Sequence, residues 1–153
     1  IQGGMKMRKS LKLTTVIVMV ILLFLIIYSY FNISGEEIVG VSNITTSSNV
    51  VIKKDYQGVM NEQEFELNAN QIERLKTLIL KSNFTRKLSS TVRFEDKNMY
   101  TIIINDNEAG VWLNIHCIGN EWISIADQFN GKHLKINNLD WKNTIEEIII
   151  LSD

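Results

Sequence analysis

The 153-residue chain has no proline, one cysteine and two histidines. A lone thiol, Cys117, excludes an internal disulfide framework, so any domain built here must hold together by packing. The plain reading of that thiol is a small buried hydrophobe. The missing proline, beside abundant Asn, Ile and Lys, suits an AT-rich bacterial gene. No acidic residue precedes Glu36, and no charge of either sign falls between Leu13 and Phe31. Also absent are H-E-x-x-H, G-x-S-x-G, a phosphate-cradling glycine loop and S-x-x-K with its supporting motifs. His116 and Cys117 are neighbours in a predicted strand and project to opposite faces, which excludes a nucleophile and base pair. His133 falls two predicted strands from His116, about 10 Å away, too far to share a metal ion. No catalytic residue, cofactor or metal is expected, and an enzyme with an unrecognised site is the minor reading.

What is present begins with the uncharged run itself. Nineteen residues, Leu13 to Phe31, suffice for a helix to cross roughly 30 Å of hydrocarbon. The core V-I-V-M-V-I-L-L-F-L-I-I is apolar all round, unlike the one-sided helix of a soluble domain. Lys6, Arg8, Lys9 and Lys12 precede it, and the positive-inside bias places that flank in the cytoplasm. Tyr28, Tyr30 and Phe31 suit the far interface. The expectation is a single-pass cell-membrane protein: residues 1–12 a cytoplasmic tail, 13–31 the anchor, 32–37 a linker and 38–153 an extracytoplasmic domain. Residues 1–6 read as translated leader ahead of a start at Met7, because Gly3-Gly4 codons can spell a ribosome-binding GGAGG. Cleavage and secretion is the alternative. The run exceeds the usual 7–15 residues of a signal core, and 28–35 lack a convincing small-x-small site, so retention is preferred.

Beyond the anchor lie all 17 acidic residues and 12 of the 16 basic ones, a net charge of −5. That argues against nucleic acid or anionic lipid as partner. The sequons at Asn32, Asn43 and Asn83 carry no weight, since chance supplies about two in a chain with this much Asn, Ser and Thr.

The pattern predicts an α+β fold, an antiparallel sheet of five to six strands with a helix at about 69–82 and another at about 139–151. Ile38 to Thr46 and Asn49 to Lys53, around Ser47-Ser48, read as a first hairpin. Phe65 and Leu67 suggest a short strand. Ile72, Leu75, Leu78 and Ile79 mark one helical face, with Asn68 or Asn70 as N-cap. Phe84 to Arg93 has no clear period. Tyr100–Ile104, Val111–Ile118, Glu121–Ala126 and Lys132–Ile136 form a meander. The acidic turn 105–110 lacks the spacing and terminal Glu of a calcium loop.

A three-residue loop Ile118-Gly119-Asn120, with Asn120 left-handed, would set Cys117 opposite Glu121, Ile115 opposite Ile123 and Leu113 opposite Ile125. One face then carries Val111, Leu113, Ile115, Ile123 and Ile125. The other carries Trp112, Asn114, His116, Trp122 and Ser124, the nearest thing to a binding face in the chain. The competing and favoured expectation is that the C-terminal helix, capped by Asn138, covers those rings with Trp141, Ile145, Ile148 and Ile149.

Residues 121–136, E-W-I-S-I-A-D-Q-F-N-G-K-H-L-K-I, together with Thr85-Arg86-Lys87 after the first helix, resemble a known pattern. It is that of small exported domains of unknown function from Gram-positive bacteria, anchored in the membrane or as lipoproteins. The resemblance runs from about 38 to 136 and differs at Gln128-Phe129, where those domains more often carry proline before the aromatic. It implies an anchor followed by a hairpin, a helix and an antiparallel sheet outside the membrane, and lends no reaction. The leading functional expectation is a module that binds another cell-envelope protein or peptide. A ligand sensor or wall-glycan binder using the Trp112/Trp122 face is the alternative.

Overall fold

The computed structural model describes residues 3–55, 63–86, 99–137 and 140–150. The apolar run forms the C-terminal part of a 29-residue helix, α1 (Gly3–Phe31). Its stretch Leu13–Phe31 is long and apolar enough to cross a membrane, and none of it is buried against protein. The Asn32 side chain donates to Tyr28 O at 3.0 Å, satisfying a carbonyl at the helix end. The chain divides into two compact units, Ile1–Asn32 and Ile33–Asp153.

Among the described residues the second unit is α+β, with an antiparallel sheet of eight strands where five to six were expected. They are β1 (Asn32–Ser34), β2 (Asn49–Asp55), β3 (Gln63–Glu66), β4 (Asn83–Arg86), β5 (Met99–Asp106), β6 (Val111–Ile118), β7 (Trp122–Ile125) and β8 (Leu134–Ile136). Their order in the sheet is β1-β4-β8-β7-β6-β5-β2-β3. Two of the extra strands are short pieces at one edge. β1 occupies the expected linker, and β4 opens the stretch that showed no period, whose remainder, 87–93, lies outside the described residues. The helices are α2 (Ala69–Lys81) and α3 (Trp141–Ile150).

The first hairpin needs correction. Residues 35–37 and 41–43 form 3-10 turns, and β2 instead pairs with β3 and β5. The alternation in 38–46 comes from burying Ile38, Val41 and Ile44 on a non-extended backbone, turned at Gly40 with φ of 93°. Gly35 makes this packing possible. A Cβ there would lie 1.7 Å from Ile79 O on α2, while its N–H bonds Ser82 O at 2.8 Å.

α2 starts as its sequence suggests. Asn68 Oδ1 accepts from the backbone N–H of Asn70 and Gln71, and Gln71 Oε1 accepts from Asn68 N at 2.8 Å. Ile72, Leu75, Leu78 and Ile79 are buried, as their spacing requires. Gln71 is buried too, because its Nε2 donates to Ile148 O of α3 at 2.6 Å. α3 begins one residue after Asp140, whose carboxylate accepts from Asn143 N; the expected cap Asn138 lies outside the described residues. Asn120, reaching from the loop before β7, accepts from Lys142 N at 3.1 Å.

Both helices cover the same side of the sheet. Trp141 meets Phe84 of β4 edge to face at 5.8 Å and donates to Ser82 Oγ at 2.8 Å. Tyr100 of β5, fully buried, donates to Glu146 of α3 at 2.6 Å, with Lys54 nearby over the ring. This overturns the favoured expectation: Trp141, Ile145, Ile148 and Ile149 pack onto the Val111, Leu113, Ile115, Ile123 and Ile125 side, away from Trp112 and Trp122.

Candidate binding face

The opposite side of the sheet is built from the alternate residues of the same strands. Observed register pairs Ile118 with Trp122, His116 with Ser124 and Ile115 with Ile125, so the loop is Gly119-Asn120-Glu121. This is two residues away from the expected alignment. Gly119, with φ of 58°, takes the left-handed position expected of Asn120, which frees Asn120 to cap α3. A slip of two keeps every side chain on its face, whereas a slip of one would have exchanged them. Face membership therefore matches the sequence reading while the neighbours differ.

The difference matters for the constellation. His116 and Ser124 stand directly opposite each other, and Thr101 of β5 lies on the other side of His116, its Oγ1 3.2 Å from Nδ1. Trp122 sits opposite Ile118, six residues along β6 from Trp112, so the two indoles are about 20 Å apart along the strand. They cannot clasp one ring between them. Trp112 is 76% exposed, the other four named residues are half-buried, and Ile118 is buried although it belongs to this side.

Around Trp112 the neighbours are amides. Asn105 of β5 is directly opposite, Asn49 of β2 lies beyond it in the same row, and Asn114 is two residues along β6. The side-chain oxygens of Asn105 and Asn114 are shielded from solvent and have no hydrogen-bond partner among the described residues. Sequence reasoning had singled out Asn114 and missed Asn105 and Asn49, because cross-strand register to β5 and β2 was not assigned.

Other polar groups belong to the architecture. Asp106 accepts from Ala109 N at 2.9 Å and from Ser48 Oγ at 2.7 Å, contacts that hold its carboxyl below the usual carboxylate range. Cys117 faces the core, where burial pushes its thiol up and keeps it protonated. No three His, Cys, Asp or Glu residues among those described converge to hold a metal. The β7–β8 loop carries three non-glycine residues with positive φ, Asp127, Phe129 and Asn130. Gln128 between them clamps Val39, donating to its O at 3.1 Å and accepting from its N at 3.0 Å. A shallow groove of about 350 Å³ between α2 and α3 is lined by residues of both charge signs, including Glu73, Arg74 and Lys81. Comparison of the chain with protein-family models, curated proteins and solved structures gives no match.

Proposed function

We propose that this chain is a single-pass membrane-anchored binding module. Its C-terminal domain stands outside the cell and meets another component of the envelope with the outer face of its sheet. The orientation rests on the four basic residues before the anchor and the absence of acidic ones there. One observation supports the binding face above the rest. Both helices pack on one side, leaving a tryptophan 76% exposed near the start of an interior strand on the other. An exposed aromatic inside a sheet, where a soluble domain would place a polar residue, is the usual mark of a contact surface.

The sequence carries no recognised catalytic motif, and we read the face as one for binding. Two measurements test it. Protease added to intact spheroplasts should digest the domain while a cytosolic control survives; a protected domain would overturn the topology. A photo-crosslinking residue at position 112 of the full chain should label an envelope component, and one at exposed Thr77 on α2 should not. Equal labelling at both would remove the face from the proposal.

A further inference from the structure

We propose that the free edge of β3 accepts an extended, lysine- or arginine-bearing segment of another polypeptide as a further strand of the sheet. The site is separate from the Trp112 face, since β5 and β2 stand between β6 and β3. Among the described residues β3 ends the sheet, with β2 as its one neighbour. In an antiparallel ladder successive residues turn their backbone groups to opposite sides, and the Leu67 N–H that donates to Val50 O at 2.9 Å fixes which residues turn inward. Leu67, Phe65 and Gln63 point at β2. Glu64 and Glu66 therefore turn their N–H and C=O groups outward, and these make no bond to any described residue.

Both of these residues are exposed. Such a row of unpaired donors and acceptors is a template for one more strand, and what it admits is decided by the side chains beside it. Those side chains disfavour a second copy of this chain. Two β3 strands laid antiparallel about Phe65 would set Glu64 of each directly against Glu66 of the other, and like charges so opposed destabilise a pair.

A strand of opposite sign has the reverse effect. Glu64 is already matched on the β2 side by Lys53 at 2.6 Å, whereas the β2 residue opposite Glu66 is Val51, and Glu66 has no ion pair among the described residues. An incoming cation meets that uncompensated carboxylate, on a unit whose sequence is net negative. Phe65 lies on the other side of the strand, half-buried against the core. A residue laid opposite it covers the rest of the ring, which favours an apolar one. The ligand thus reads basic, apolar, basic over three successive residues. The basic pair stands opposite Glu64 and Glu66 with its backbone groups turned to β3.

The test uses the full chain in phosphatidylcholine nanodiscs and a capped, fluorescently labelled peptide Ser-Thr-Lys-Val-Lys-Thr-Ser, followed by anisotropy against empty nanodiscs. Saturable binding is expected, with a Glu-Val-Glu counterpart at least about tenfold weaker. Methylating both lysine amide nitrogens should abolish binding, because those N–H groups donate to β3; methylating the valine nitrogen, turned away from it, should not. Glu66→Lys should weaken binding about fivefold, while Glu73→Lys, the same charge change at an exposed position of α2, should leave it unaltered. Absence of saturable binding by the lysine peptide overturns the proposal. Equal losses in the two variants would reduce the effect to net charge and overturn the edge as the site, and tolerance of lysine methylation would overturn strand addition. A photo-crosslinking residue at position 64 that captures a second copy in place of the peptide would make that copy the occupant and overturn the proposal.

Discussion

The two sides of this sheet are made by the same strands and differ in what they demand of each residue. On the helix-covered side, Tyr100, Ile102, Ile104, Leu113, Ile115 and Ile123 are all buried, and even the polar groups have defined partners, such as Tyr100 with Glu146 and Gln71 with Ile148. On the other side, Trp112 stands exposed and two asparagine oxygens lack partners among the described residues. The first side is constrained by packing and the second is free to be shaped by something outside the chain. Stability should therefore respond steeply to substitutions on one side and weakly on the other.

The sharpest way to break that contrast is Trp141→Ala. It removes a fully buried ring, its edge contact with Phe84 and its bond to Ser82, and should cost about 3–5 kcal/mol, read as a fall in denaturant midpoint in micelles. A cost under 1 kcal/mol would mean α3 is not seated as described. Gly35→Ala should follow, at about 3 kcal/mol, since the added methyl meets Ile79 O on the backbone of α2 and neither can yield cheaply. Thermal unfolding of the full chain reads this directly, and a neutral outcome would contradict the close approach.

Acid should act more mildly, through Asp106. Its folded-state pKa is lowered, chiefly by the Ala109 N–H and then by Ser48, so its contribution is present above the ordinary carboxylate range and is lost as pH falls through the folded value. Asp106→Asn should lower stability at pH 7 and flatten its decline below about pH 4; an unchanged acid profile would assign the effect elsewhere. Smallest of all should be Trp112→Ser, within about 0.5 kcal/mol of the parent by the same assay. A loss comparable to that of Trp141→Ala would show that Trp112 is structural after all.

The sequence made some of this legible for identifiable reasons. Side-chain alternation in β6 and β7 assigned every residue to its face, and the assignment survived an error of two in register because the pleat repeats every two residues. The spacing in α2 and its Asn cap were equally readable. Three things were hidden. The period of α3 shows that Trp141, Ile145, Ile148 and Ile149 are covered, yet says nothing about which side of a sheet covers them. Residues 38–46 alternate by burial while turning on Gly40 and the Gln128 clamp, which comes from 89 positions away. The amide cluster at Trp112 depended on pairing β6 with β5 and β5 with β2, a non-local fact.

The passage from α1 to β1 has a mechanical consequence. The helix ends at Phe31 and β1 starts at the next residue, Asn32. Because the two are consecutive in the chain, tension applied to α1 would reach this three-residue border strand first. With β4 as its one neighbour in the sheet, such a strand can part while the interior ladders stay shut.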